Sequence, residues 1–410
     1  MATSREFQDM LNEYVPNSLL KEEMIDRTWI LKTFEMDNSW LGGNYIVPFK
    51  GAQASSVEFG ALPASNDIGQ SDPVRGTLST QPEMWGSLIF YHRDLMEHGK
   101  LSEQNLLRLL PDEIEDFIEY VRMAVSLAML NGARITKVTV DGTAGGVITV
   151  SNPERLQLGQ KVTIDDDNTA SVNGYVRTIN MLNGEVTIYD ARTGGAVVDL
   201  SAYTVAQNAG VFWIGGIASG FTSLKSSLLP LSAGGSTNLY GVAKTAYPYL
   251  QAIAQDGSSV TSVTFLQDLF DFMVTVRQRG RGNPDHLVMS YRNFGYCMKI
   301  LESTKGAFNV VPNSQKASPY GFQEIDVFGP KGQCKLIALN EMDDDYVMAI
   351  DKRAAVVASN GGFRKRRAPD GREYFEIRAT TGYSYIVDTC FFGDLILQRP
   401  SYCGILYNIP

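Results

Sequence analysis

Apolar residues in "PDEIEDFIEYVRMAVSLAMLNG" (111–132) recur at three-to-four spacing, at Ile114, Phe117, Ile118, Val121, Val125 and Ala128. That spacing puts one greasy stripe on a helix. It predicts a helix over 111–131, with Pro111 at the first position, where no N–H partner is needed. Asp112, Glu113 and Glu115 complement the positive end of the helix dipole, and Asn131-Gly132 supplies a stop. A second helix is expected within "SVTFLQDLFDFMVTVRQRG" (262–280), closed by Gly280, and a third in "YRNFGYCMKILEST" (291–304). Residues 17–36 read as a charged helix or extended arm carrying Leu19, Leu20, Ile25, Trp29 and Ile30. Strand-like apolar density marks "NYIVPF" (44–49), "MWGSLIFYHRDL" (84–95), "CKLIALN" (334–340) and "YVMAID" (346–351). Between 351 and 410 come "AAVVAS", "YFEIRAT", "YSYIVDTC" and "DLILQ", so the chain ends rich in strands.

The pattern changes over 134–216. Short alternating runs follow one another: "ITKVTV", "GVITVS", "QKVTID", "YVRTIN", "EVTIYD" and "AVVDL". Turn signals separate them, including Asn173-Gly174 and Asn183-Gly184, the second a tight-hairpin signal. Such spacing predicts a small antiparallel barrel or sandwich. Because it begins directly after the long helix, it reads as a domain inserted into a host fold, with 133 and 217 close in space. Residues 50–83 behave differently again. They are rich in Gly, Ser, Pro and Asp with scattered apolar positions, a length unusual for a loop inside a compact domain.

Composition narrows the class. The chain has 410 residues, 44% hydrophobic and 20% charged, with a net charge of −9. Such a balance suits a globular protein and argues against a surface that holds nucleic acid by its backbone. Four cysteines without C-x-x-C spacing fit a reducing compartment. The N-terminus lacks a signal-peptide core, and no apolar run is long enough to cross a membrane.

Candidate chemistry is thin. Two aspartate triplets, 165–167 and 343–345, invite a metal reading. Counting from Asp165, a calcium loop needs Gly at the sixth position and Glu at the twelfth, where this chain has Ala170 and Val176. Both triplets are therefore expected in solvated hairpin turns. His92, His98 and His286 form no ligand spacing, and no nucleophile elbow, zincin or phosphate-loop motif occurs. "RQRGRGNP" (277–284) follows a helix, so it is not a strand-to-helix phosphate loop. No catalytic, cofactor or metal residue is expected, and no enzyme activity. One charge cluster stands out: Arg364, Lys365, Arg366, Arg367 and Arg372 surround Pro369-Asp370-Gly371, with strand-like residues on both sides, the reading of a basic hairpin tip.

The order of elements, together with "AMLNGARI" (128–135), "IGGIASG" (214–220) and "PDHLVMSYRNFGYCMKILESTKGAFNV" (284–310), resembles the major capsid proteins of tailed bacteriophages, the Hong Kong 97-type fold. The resemblance covers nearly the whole chain outside 134–216. It implies an α+β fold with an N-terminal arm (1–43) and an extended loop (44–84). The peripheral domain follows (85–133), with its spine helix, then the inserted all-β domain (134–216), the axial domain (217–350) and peripheral return strands (351–410). It implies a subunit that self-assembles as hexamers and pentamers into an icosahedral head around double-stranded DNA. The expected setting is the virion, with synthesis in the host bacterial cytoplasm. A separate scaffolding protein, a portal and a decoration protein are the implied partners, with neither sequence-specific DNA binding nor a membrane. The resemblance also places Arg364, Lys365, Arg366, Arg367 and Arg372 at three-fold meeting points as inter-subunit contacts. Lys50 is the only Lys of 44–84 and sits at its base, so no covalent crosslink is expected. The inserted domain is expected to brace neighbouring capsomers from outside, or else to bind carbohydrate. The alternatives are an encapsulin-like nanocompartment shell of the same fold and an unrelated oligomeric enzyme.

Overall fold

A computed structural model describes residues 25, 28–40, 42–49, 74–91, 103–140, 142–143, 145–165, 171–203, 210–215, 220–303, 324–329, 332–372, 374–379 and 382–410. Helix α1 (Trp29–Thr33) leads into β1 (Glu35–Asp37); β2 (Tyr45–Pro48) and β3 (Arg75–Leu78) form a two-stranded ladder; β4 (Glu83–Tyr91) precedes the long helix α2 (Glu103–Asn131). Six strands follow: β5 (Arg134–Val140), β6 (Val147–Val150), β7 (Lys161–Asp165), β8 (Val172–Asn180), β9 (Glu185–Tyr189) and β10 (Gly210–Trp213). Then come α3 (Leu224–Leu228), β11 (Asn238–Leu239), β12 (Val242–Ala243), β13 (Ile253–Asp256), α4 (Phe265–Thr275), β14 (His286–Met289) and α5 (Tyr291–Ser303). The chain closes with β15 (Glu324–Gly329), β16 (Gly332–Ala338), β17 (Tyr346–Ile350), β18 (Ala355–Lys365), β19 (Phe375–Ala379), β20 (Gly382–Leu397) and β21 (Gly404–Tyr407).

Helix α2 organises the first half. Its 29 residues span roughly 43 Å at 1.5 Å per residue. It starts eight residues before the expected position, so Pro111 lies inside the helix and not at its first turn. Proline lacks an N–H, and an interior position forgoes one backbone hydrogen bond. The C-terminal end is as expected: Gly132 takes a left-handed φ of 70° and its N–H bonds Ala128 O at 3.0 Å. Ile118, Val121, Val125, Met129 and Leu130 are buried against Phe363, Phe391, Leu395 and Leu397 of β18 and β20. Gly86 of β4 permits this approach, because a Cβ there would sit 2.7 Å from Val121 Cγ2.

The sheet beneath α2 runs β1-β18-β20, with β4 on the far edge of β20. The expected runs "YSYIVDTC" and "DLILQ" are one continuous strand of 16 residues, β20. Its register corrects the basic hairpin. Lys365 of β18 pairs with Thr389, and Phe375 of β19 pairs with Ile386, both antiparallel to β20. A strand has two edges, and β4 occupies the other, so β18 and β19 lie end to end along one edge. Arg366 N still donates to Asp388 O of β20 at 2.9 Å, and residues 367–372 then leave that edge as an excursion, not as the tip of a hairpin. The Pro369-Asp370-Gly371 turn is present within it, closed by Ala368 N donating to Arg372 O at 2.7 Å.

A second sheet has the order β13-β21-β17-β14-β16-β15. Strand β17 is central and all five of its residues are buried. Val347 and Ala349 face α4 and α5 with Phe265, Leu269 and Phe272, while Tyr346, Met348 and Ile350 join the core beneath α2. Two-sided burial explains why "YVMAI" reads as an unbroken apolar run. Strand β21 pairs with β13 and β17 here, so Gly404–Tyr407 does not lie among the return strands of the first sheet. Helix α4 passes at Val276–Gly280 into a π-turn, and Arg281 follows at φ 61°.

Strands β5–β10 close into a barrel in the order β10-β5-β6-β9-β8-β7. Its interior is its own: Ile135, Val138, Ile148, Val162, Val176, Val186, Ile188 and Val211 are buried together. Phe212 pairs with Arg134, so the entering and leaving strands are neighbours; residue 217 lies outside the described residues. Two local expectations fail. "AVVDL" makes a single bridge at Val197, and the sixth stave is Gly210–Trp213. Asn173-Gly174 is inside β8, because Gly174 accommodates Ile188, whose Cγ2 would lie 2.3 Å from a Cβ there. Asn183-Gly184 does turn the chain, in a four-residue connection with Asn180 paired to Glu185.

Candidate functional site

Two charge clusters emerge, one exposed and one buried. The exposed cluster lies on one face of β4, β18, β19 and β20, beside the excursion between β18 and β19. Residues of β4 alternate, which turns Trp85 and Ile89 outward. Trp85 meets Phe392 edge to face at 5.6 Å. Arg364 covers the Phe392 ring at 4.6 Å; Arg366 lies over Phe375 at 4.8 Å and Trp85 at 5.6 Å. Arg366 also faces Asp388 at 3.6 Å, whose Oδ1 accepts from Ser87 Oγ at 2.7 Å. The result is a ladder of rings and guanidinium planes. The five sequence-selected cations do not act alike. Arg364, Arg366, Arg367 and Arg372 are exposed, while Lys365 turns inward and is buried. Arg372 pairs locally with Asp370 at 3.1 Å. Sequence reading found the cations and missed the aromatic half: β19 and β20 supply Phe375 and Phe392, and β4 supplies Trp85 from nearly three hundred positions away.

The buried cluster overturns an expectation. Asp343–Asp345 lie in the connection from β16 to β17, but these strands flank β14 and form no hairpin. Asp343 and the side chain of Glu341 are buried, not solvated. Asp343 Oδ2 accepts from Arg134 Nη2 at 2.7 Å, and Oδ1 accepts from Arg155 Nη1 at 3.0 Å. Arg155 also donates to the carbonyls of Ile135 and Met342. Lys225 Nζ stands 3.6 Å from both Asp343 and Asp345, and 4.1 Å over the Tyr346 ring; Lys137 Nζ donates to Asp345 at 3.1 Å. From α2, Arg122 meets Glu341 at 3.0 Å and Asn131 Nδ2 donates to Glu341 O. Residues of α2, the barrel and α3 thus converge on one loop of the second sheet.

The electrostatics follow from that count. Burial by itself would raise the Asp343 carboxyl; Arg134, Lys225 and Arg155 outweigh it and hold it well below the usual carboxylate range. Four cations face the two carboxylates of Asp343 and Asp345, so positive charge is in excess. Burial, reinforced by Arg134, pulls Lys225 down to about 8. Basic side chains thus already surround the carboxylates of Asp343 and Asp345. No group of three potential metal ligands occurs among the described residues. Of the first triplet, Asp165 ends β7, and Asp166 and Asp167 lie outside the described residues, as do His92, His98 and Lys50. His286 Nδ1 lies 2.8 Å from Asp285 Oδ1, with Trp29 packed edge-on against its ring. All four cysteines are buried and unbridged.

No family model matches the chain, and no curated protein sequence matches it. Among solved structures, it is similar to the cyanophage A-1(L) capsid asymmetric unit, with 10% identity, 93% of each chain covered and a TM-score of 0.46. It is likewise similar to the capsid of Myoviridae phage XM1, at 10% identity over 93% of this chain and 91% of that one, with a TM-score of 0.42. The holo-SrpI encapsulin complex from Synechococcus elongatus PCC 7942 is similar at 9% identity, over 94% and 88% of the two chains, with a TM-score of 0.44. The chain is therefore similar in overall course, across most of its length, to subunits of phage capsids and of an encapsulin.

Proposed function

We propose that the chain is a shell-forming structural subunit, and more finely the major capsid protein of a tailed phage. The observation that carries this reading is the exposed arginine–aromatic ladder of Trp85, Phe392, Arg364 and Arg366. Rings and arginines presented together on a surface are the composition of interface cores. In a chain of net charge −9, copies of the same subunit supply complementary carboxylates. Arginine forks bind these bidentately. On this reading residues 364–372 join capsomers, the 44–84 segment reaches a neighbouring copy, and the barrel braces the shell from outside. The acidic balance favours the phage reading over an encapsulin-like one, because such a wall does not hold packaged DNA by counterion release.

The test is electron microscopy of the expressed protein, alone and beside its neighbouring genes. Capsomers or closed particles are expected, filled with DNA in the full phage context. A variant carrying Arg364→Glu, Arg366→Glu and Arg367→Glu should remain a folded monomer, and wild-type shells should loosen as salt screens these charges. Shells of normal yield and salt resistance from the triple variant would remove the ladder from the interface. A small discrete oligomer with catalytic turnover would sink the shell reading altogether.

A further inference from the structure

Three arginines without a carboxylate partner among the described residues converge on a cleft of about 300 Å³. Arg277 comes from the π-turn after α4, Arg281 follows it in the left-handed region, and Arg399 lies just after β20. Arg277 Nη1 donates to the carbonyls of Arg281 at 3.1 Å and Gly282 at 3.3 Å. Those acceptors are neutral, so the charge stays uncancelled. Arg399 covers the Tyr402 ring at 5.2 Å, and its buried Nε has no acceptor. Arg281 stands exposed at the rim.

The carboxylates of the same lining are already engaged. Asp351 takes the Arg353 fork, with Nε at 2.9 Å and Nη2 at 2.6 Å, and accepts the Asn283 N–H at 3.1 Å. Asp285 accepts the Lys352 N–H at 3.0 Å and faces His286. Asp285 keeps its charge, because a backbone N–H is neutral; what remains is a concave surface in which three guanidinium groups outnumber that one carboxylate. A buried donor without an acceptor is costly, and so is crowding of like charges; one anion relieves both.

We propose that this cleft binds a compact phosphate-bearing anion, either free diphosphate or the phosphates of a nucleotide. Guanidinium forks match phosphate oxygens in geometry as well as charge. The volume suits one or two phosphates, whereas a duplex backbone needs an extended basic strip.

Titration calorimetry and thermal unfolding of the full chain test this, with pyrophosphate, ADP and a single-stranded oligonucleotide as probes. One pyrophosphate or ADP per chain should bind and raise the melting temperature. Tighter pyrophosphate than ADP identifies the free anion; the reverse identifies a nucleotide. Arg281→Gln, at the exposed rim, should weaken binding about tenfold, and Arg399→Gln at least as much. Lys161→Gln, an exposed change on β7 of the barrel, should leave it unchanged. Absence of pyrophosphate and ADP binding would overturn the proposal. So would equal binding by Arg281→Gln, or an oligonucleotide that binds where pyrophosphate does not.

Discussion

The acidic 340–345 loop and the basic 364–372 segment are both charge clusters at the end of a strand, yet the fold uses them in opposite ways. In the loop, Asp343 is buried among Arg134, Arg155 and Lys225 and ties the barrel to the second sheet. In the basic segment, exposed arginines lie over the half-buried rings of Phe392 and Phe375 with water on one side. Removing a partner from the first strands charges where water cannot reach them; removing one from the second exposes nothing new. Burial, not charge count, decides which cluster supports the fold and which is left to meet another molecule.

The largest effect expected is from Asp343→Ala. It leaves Arg155 without its carboxylate and Arg134 and Lys225 with only Asp345 nearby, and should cost about 3–5 kcal/mol in chemical denaturation. Lys225→Met, which removes one of the excess cations, should cost far less. Equal costs would mean that the junction is not organised around Asp343.

Asp394 sharpens the comparison because it is as buried as Asp343 but has no cation. Burial holds its carboxyl up at about 7, against the N–H groups of Thr222 and Leu395, which favour the charged form. A raised carboxyl binds its proton more tightly in the folded state. Its contribution to stability is complete below about pH 4 and is lost as pH rises to 7. Between pH 5 and 7 that loss should be on the order of 2 kcal/mol, and Asp394→Asn should flatten it. Identical pH profiles for the two proteins would refute the assignment.

The smallest change in stability belongs to the basic segment. The triple change of Arg364, Arg366 and Arg367 to Glu should alter unfolding free energy by under about 1 kcal/mol, as for exposed pairs generally. A loss comparable to that of Asp343→Ala would show that the ladder holds this chain's own sheet together.

Local pattern determined a good deal. The three helices, the end of α2 at Asn131-Gly132, a β-rich insertion after it, and the basic cluster around Pro369-Asp370-Gly371 were all legible. Each depends on periodicity or on a residue's own backbone preference, which a short window contains. Tertiary structure alone decided the rest. Asn173-Gly174 reads as a turn, but the approach of Ile188 in the closed barrel makes it strand. Lys365 and its neighbours read as a hairpin tip, but β20 is long enough to pair with β18 and β19 in succession. Asp343 and Asp345 read as solvated, but their partners come from positions 134, 137, 155 and 225; Asp344 between them does face outward, beside Arg292. A fully buried strand beside them, "YVMAI", was the one available hint. An acidic turn looks the same in sequence whether water or arginine faces it, because the dielectric around a charge is set by atoms that only the fold brings near.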